Sequence, residues 1–433
     1  MTKKQIPEAF SLFKKSVVCA TDKSKRLYTD ALVLWLGVYQ CLQLTSCRGS
    51  LEELFSERSF ELFGDCARKQ RGEVSDNSGA LIQARQKISH GTLRQALCAL
   101  YRDIRKEHLW KGYRVMGIDG STVALNRSTP ALRKAYPGGR DHKTVSRWPI
   151  IHLVLLLDLL EGIVMSANLG AKYGQGAKSE QALALELSEL FEENTLIVGD
   201  RNFGTFNIAK ELSDKGAQVL VRLNQQRAKQ LAGEDELRDG LDREVTWAPT
   251  AKVREKYQYS REEKIKGRLV VKEINYKEKS ICLYLFTTLK VGISEELAEL
   301  YQKRWNIEED LKSMKLQMRL KDIQAETKTA VEVELYCKLL AYNITRGMIL
   351  LAVDGTDIDP RRVSFALAFL IVRTRLPEYA AQPNAQAKQE VLNQILVRLR
   401  RAVNPARPNR SYKRQVYGRR PARYKVISSA LKN

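Results

Sequence analysis

The chain has 433 residues, with 73 Lys and Arg against 50 Asp and Glu and a formal net charge of +23. That length suggests two or three domains, and 44% hydrophobic residues with 8% aromatics supply a real core and exclude global disorder. An excess of this sign speaks of partners rather than fold and favours a polyanion such as nucleic acid. It is unevenly spread: residues 391–433 hold 12 Lys/Arg and no acid, residues 1–112 hold 19 basic and 12 acidic residues, and the remaining 278 carry only +4. Seven cysteines, an odd number without a CxxC pair, argue against a disulfide framework or a zinc knuckle and suit a reducing cytosol. The N-terminus lacks an apolar h-region, and the most apolar stretch, Ile150 to Met165, is broken by His152, Asp158 and Glu161. A soluble, cytoplasmic, nucleoid-associated protein with no membrane partner is expected.

Residues 1–112 read as helical. Leu27, Ala31, Leu34 and Val38 recur at spacings of three and four, and further short helical segments follow to Ile104. Arg85, Lys87, Arg94 and Arg102 are interspersed among them. The region reads as a DNA-binding domain, against the alternative of a helical bundle with a solvated basic face.

From Tyr113 the period changes. YRVMGIDGSTVAL reads as a strand, WPIIHLVLLLDLLEGIVMSANLG as two strands turning near Glu161–Gly162, and SEQALALELSELF as a helix capped by Ser179. TLIVGDRNFG is a short buried strand ending at Asp200, FNIAKELSDKG a helix, and AQVLVRLN another strand. The order β-β-β-α-β-α-β is that of a mixed α/β sheet. Residues 225–284 turn irregular and charged and read as a small inserted β segment before the apolar strand ICLYLFTTL. A long helix is expected from Ser294 to about Arg319, then helices at 330–353 and 364–375, and a helical, basic region to the end of a 354–433 segment suited to DNA contact or dimerisation.

Three acids stand out by position. Asp119 lies on the first strand, Asp200 ends the fourth, and Glu308 lies in the long helix. Strand-end carboxylates of an α/β sheet are where ligands and metals are met. At 100° per residue Tyr301, Arg304, Glu308 and Lys315 fall within about 60° of one another, while Glu309 and Asp310 rotate away. Two Asp and one Glu are hard oxygen donors for Mg²⁺ or Mn²⁺. Two such ions suit an in-line phosphoryl displacement, with Arg304 and Lys315 gripping the flanking phosphates.

At these residues the chain resembles the insertion-sequence-four-type DDE transposases. YQKRWNIEEDLKSMK matches their Y-(2)-R-(3)-E-(6)-K motif as Tyr301, Arg304, Glu308 and Lys315, and GIDGST and VGDRNFG look like their first and second acid motifs. The resemblance runs from about Tyr113 to Ala352. It implies an RNase H-like catalytic core at 113–353 with a β-rich insertion, for which the 108 residues from Asp200 to Glu308 leave room. It also implies Mg²⁺-dependent cut-and-paste transposition of an insertion sequence, transposon-end and target DNA as partners, a homodimer on DNA, a hairpin step as in the better-known members, and no nucleotide cofactor. The second motif has Asn202 where the family more usually has glycine.

Further DNA-binding candidates are Arg201 beside Asp200, against a structural ion pair, and the basic loop 140–147, against a solvated hairpin. Trp247 in the inserted segment is a candidate platform for a flipped base, against a place in the core of that segment. Two other functions remain open on the sequence: a catalytically idle DNA-binding descendant of a transposase, and an RNase H-like nuclease.

Overall fold

The unbroken apolar runs in the middle of the chain are strands covered on both faces. In the computed structural model, which describes residues 26–54, 64–75, 77–141, 144–146, 148–276, 279–380, 382–405 and 426–428, β1 is Arg114–Ala124. Two short strands follow, β2 (Arg140–Asp141) and β3 (Thr144–Ser146). The central strand β4 (Ile150–Asp158) is buried over all but its first residue and is followed by β5 (Val164–Ala171). Then come β6 (Thr195–Gly199), β7 (Gln218–Arg222), β8 (Asp242–Trp247), β9 (Ile265–Tyr276) and β10 (Lys279–Thr287). The main sheet has the order β5-β4-β1-β6-β7-β10-β9-β8.

β1 pairs in parallel with β6, and β6 with β7, whereas β4 runs antiparallel to both β1 and β5. In order of appearance the first five strands of this α/β sheet therefore lie 3-2-1-4-5, with the second alone reversed. After β1 the chain steps to one side, and after β5 it crosses to the other. The gap between β1 and β6 is thus a topological switch point, where side chains at the strand C-termini face an open crevice.

The segment 225–284 is no separate β unit. Its strands β8 and β9, with β10, continue the main sheet through antiparallel pairing of Leu285 with Arg222, and it also contains two helices, Gln225–Ala232 and Ala251–Tyr257.

The helices cover the sheet. α1 (Asp30–Gln43) starts at Thr29, whose hydroxyl accepts from the Leu32 amide at 3.2 Å; α2 is Cys47–Leu54, α3 Ala67–Gln70, α4 Ser78–Arg85 and α5 His90–Ile104. After β1 comes α6 (Pro130–Ala135), after β5 α7 (Glu180–Leu185), and after β6 α8 (Phe206–Asp214). The two helices of the 225–284 segment are α9 and α10. They are followed by α11 (Ser294–Gln302), α12 (Trp305–Leu316), α13 (Lys328–Val353), α14 (Phe365–Ala380) and α15 (Ala385–Arg401). α13 is buried along nearly all of its 26 residues, because α1, α5, α14 and α15 pack around it. One continuous apolar core runs from Tyr28 to Ala402.

Other sequence expectations change. The helix expected from Ser294 to Arg319 is two helices. The amides of Lys303, Arg304 and Ile307 bond back three residues rather than four, and this tightening interrupts the helix at Lys303–Arg304. The basic stretch from Val391 begins within α15, where a helix is expected, and Val391, Leu392, Ile395, Leu396 and Leu399 are its buried face. Of the basic residues in the first helices, Arg85 donates to Gln40 Oε1 at 2.6 Å and to Cys47 Sγ at 3.1 Å, so its guanidinium is spent inside the bundle. The loop 140–147 forms β2 and β3, and a short strand β11 (Val426–Ser428) pairs with β3; residues 142, 143, 147 and 406–425 lie outside the described ones. No helix among the described residues is long and apolar enough to cross a membrane.

Candidate active site

Register sets the first two acids side by side. β1 and β6 pair from Arg114 with Thr195 to Gly117 with Val198, and two further steps along the same register bring Asp119 level with Asp200. Adjacent strands lie about 4.8 Å apart. Glycine sets the third. A Cβ at Gly117 would stand 2.4 Å from Ile307 Cδ1, so the missing side chain lets α12 lie against β1. Glu308, the next residue after Ile307, is thereby carried to the face of β1 that Asp119 shares with Gly117.

Arg304 closes this group. From the turn between α11 and α12 its Nη1 lies 3.8 Å from Asp119 Oδ2, and its Nη2 donates to Glu308 Oε1 at 3.0 Å. Its side chain is 9% exposed, and its Nε has no partner among the described residues. A guanidinium bridging two carboxylates offsets part of their mutual repulsion. Burial pushes the Asp119 carboxyl up to about 6; Arg304 and the Gly120 amide, which donates to Asp119 Oδ1 at 2.8 Å, hold it down, and Glu180 and Asp200 push it further up.

Asp200 sits on a tight turn. Its carbonyl accepts from the amides of Phe203 and Gly204, and its Oδ1 from the Asn202 amide at 2.8 Å. Asn202 therefore leaves the turn intact, because the side chain of Asp200 caps it. The Asn202 side chain donates in turn to Glu180 Oε2 at 2.8 Å. Glu180, in the first turn of α7, is a fourth acid that the sequence reading passed over. It carries no motif, and only the packing of α7 against β1 brings it near. Burial and the charge of Asp200 push its carboxyl upward.

The remaining candidates divide. Tyr301 is 1% exposed, with the Arg304 guanidinium 6.0 Å from its ring centre, so it backs Arg304 and is closed to direct contact with a ligand. Lys315 is half-buried; burial and then Lys321 lower its pKa, while Asp119 raises it. It lines a cleft of about 610 Å³ with Arg319, Lys321, Asn126 and Trp148. Arg201 is exposed. Trp247 lies apart from these residues: it is 6% exposed and packs edge-on to Phe286 at 4.8 Å and Phe206 at 5.9 Å between ring centres, so its ring is core and is not presented to a base.

The three consecutive acids of α12 have three environments. Glu308 is the member at Arg304, Glu309 is 75% exposed beside Lys312, and Asp310 is 1% exposed. Asp310, rotated away from Glu308, points into the core. It accepts from Tyr342 at 2.8 Å, Arg346 at 2.6 Å and Arg361 at 2.7 Å.

As to metal, the donors of Asp119, Asp200 and Glu308 are of the hard-oxygen type that suits a divalent ion. Among the described residues no three His, Cys, Asp or Glu converge tightly enough to hold one outright. Between Asp119 and Glu308 the positive charge is supplied by Arg304.

Residues 110–344 match the transposase DDE domain family, an interval that contains all three acids. The chain is 24% identical over 296 residues to the transposase InsG for insertion sequence element IS4 of Escherichia coli (strain K12), covering 66% of this chain and 64% of that protein. It is 32% identical over 68 residues to a protein named as a transposase for insertion sequence element IS4SA of Synechocystis, over 16% of this chain and 20% of that one. The chain thus spans just under two thirds of the length of the first of these relatives and a fifth of the second.

Proposed function

This chain belongs to the transposase DDE domain family, and from that premise we propose that it is the transposase of an insertion sequence, cutting transposon ends and joining them to target DNA by metal-dependent phosphoryl transfer. The observation that carries the reading is the meeting of Asp119, Arg304 and Glu308, with Asp200 level with Asp119 on the next strand. The 3-2-1-4-5 strand order with its single reversed strand supports an RNase H-like core over 113–353.

Asp119, Asp200 and Glu308 would hold Mg²⁺ or Mn²⁺, one ion or two. A bound ion would polarise the scissile phosphodiester and favour deprotonation of the attacking water or hydroxyl. The chain's own residues do the rest. Arg304 would offer its guanidinium fork to a non-bridging phosphate oxygen. Lys315 holds the next phosphate as a point charge in the cleft with Arg319 and Lys321. Tyr301 keeps Arg304 from swinging into the core.

Transposon-end and target DNA are the partners on this reading, and a homodimer would hold two ends together. The 1–112 helices and the basic segment beyond α15 would bind DNA through phosphates. The test is cleavage and joining, with Mg²⁺, of DNA carrying the element's own terminal inverted repeats. Wild type should cut and join. Asp119→Ala, Asp200→Ala and Glu308→Ala should each lose both steps while still binding DNA, and full strand transfer by any of the three would overturn the assignment.

A further inference from the structure

We propose that Glu180 is a positioning residue for the Asp119–Asp200 pair, clasping β1 beside Asp119 to the turn after β6 that carries Asp200. This rests on the reading above, in which the two aspartates hold the reacting metal.

The clasp is built from five contacts. Glu180 Oε2 accepts from the Asn202 side chain at 2.8 Å, and the Asn202 amide donates to Asp200 Oδ1 at 2.8 Å. The Asn202 carbonyl in turn accepts from the Gln181 side chain, so two successive residues of α7 hold one residue of the Asp200 turn. At its other end the Glu180 carboxyl lies over Gly120. A Cβ there would stand 2.5 Å from Glu180 Oε1 and 2.6 Å from its Cδ, and the Gly120 amide itself donates to Asp119 Oδ1. One half-buried side chain thus runs from the residue beside Asp119 to the turn that orients Asp200. Among the described residues no Lys or Arg forms an ion pair with it, so the contacts that hold it are those of the clasp.

The consequence is specific. β1 and β6 pair only as far as Gly117 and Val198, so the ladder between these two strands stops short of both aspartates, while Asp119 stays paired with Leu155 of β4. Beyond that ladder Glu180 with Asn202 ties the Asp200 turn to β1 beside Asp119. Residues that orient metal ligands through hydrogen bonds typically change metal affinity about 10–100-fold when removed. Asn202, a departure from the glycine more usual in the motif, is then half of a matched pair with Glu180.

The experiment uses the full chain bound to transposon-end DNA, with Mn²⁺ as the probe. Calorimetric titration gives its affinity, and end cleavage gives the Mn²⁺ concentration at half-maximal rate. Glu180→Ala and Asn202→Ala should each weaken Mn²⁺ about tenfold. The double variant should be no weaker than either alone, because one interaction is lost in all three. Glu180→Gln, whose amide oxygen still accepts from Asn202, should stay within about twofold of wild type. Unchanged affinity in Glu180→Ala, additive losses in the double variant, or a Glu180→Gln as weak as Glu180→Ala would each overturn the clasp. If Glu180→Ala fails to fold, the Asn202→Ala and Glu180→Gln pair carries the same contrast. Asp119→Ala separates the two levels: should it bind Mn²⁺ and cleave like wild type, the metal site itself is wrong, whereas a dead Asp119→Ala beside a normal Glu180→Ala removes only the clasp.

Discussion

Arg304 reaches Asp119 across 185 residues of chain, its Nη1 3.8 Å from Oδ2. Both side chains are largely buried; Arg304 is the principal positive charge beside Asp119, while Asp119 and Glu308 share in compensating the guanidinium. Arg304→Ala should lower stability by about 1–3 kcal/mol, read by urea unfolding in the absence of metal, and should abolish end cleavage. Arg304→Lys keeps a charge but cannot bridge Asp119 and Glu308 at once; it should recover much of the stability and little of the activity. Wild-type cleavage by Arg304→Ala would show that the guanidinium has no part in the reaction.

Neighbouring acids on α12 should respond in opposite ways. Asp310 compensates two largely buried guanidinium groups, those of Arg346 and Arg361, and Asp310→Ala leaves both uncompensated. A loss of about 3–5 kcal/mol is expected, against no more than about 0.5 kcal/mol for Glu309→Ala on the exposed face. Comparable denaturant midpoints for the two variants would place Asp310 outside the core network.

Trp247 belongs to an aromatic cluster with Phe206 and Phe286. Trp247→Ala should cost about 3–5 kcal/mol through the cavity it opens, and Trp247→Phe much less. In a DNA-binding assay at a temperature where both variants are folded, Trp247→Phe should match wild type. A stable Trp247→Ala with weakened DNA binding would reverse this assignment and return the ring to the DNA.

The pair Asp158 and Glu161 sets a pH dependence. Asp158 is held by Arg114 at 3.0 Å and by the Leu160 and Glu161 amides. Burial, and then the charge of Asp158, push the Glu161 carboxyl up to about 8 from an ordinary 4.5. The folded state thus binds this proton more tightly than the unfolded chain. Its contribution to stability is full below about pH 4.5, is lost as pH rises towards 8, and is level beyond. Melting temperature should fall over that window in wild type, and Glu161→Gln, which has no proton to lose, should flatten the fall. Parallel pH curves for the two proteins would show that Glu161 does not titrate there.

Much of this was legible in residue order. The strands around Asp119 and Asp200 follow from apolar runs, because a strand covered on both faces has no polar side to display. Glu308 stood out through its spacing to Tyr301, Arg304 and Lys315, even though the helix that was to carry them is interrupted at Lys303–Arg304. The apolar and charged spacing of 294–319 is continuous and does not mark the interruption, which shows only in the backbone hydrogen bonds. Glu180 was invisible for a related reason: a lone glutamate at a helix start reads as an ordinary first-turn acid, and only the crossover from β5 to β6 carries it over Gly120.

The unequal roles of Glu308, Glu309 and Asp310 mark the same boundary. Helical rotation separates the three directions, and that much is local geometry. What waits in each direction is set by contacts between residues distant in sequence: Arg361 and Arg346 inward, solvent outward, and Asp119 with Arg304 across the crevice. The sequence by itself determined the α/β class and the basic excess and singled out the three acids as candidates, because periodicity, spacing and net charge are properties of the chain. Only the tertiary structure decided which charges face one another, which are spent in the core, and that a further carboxylate, Glu180, stands beside Asp119 and Asp200, because burial and pairing arise when distant segments pack.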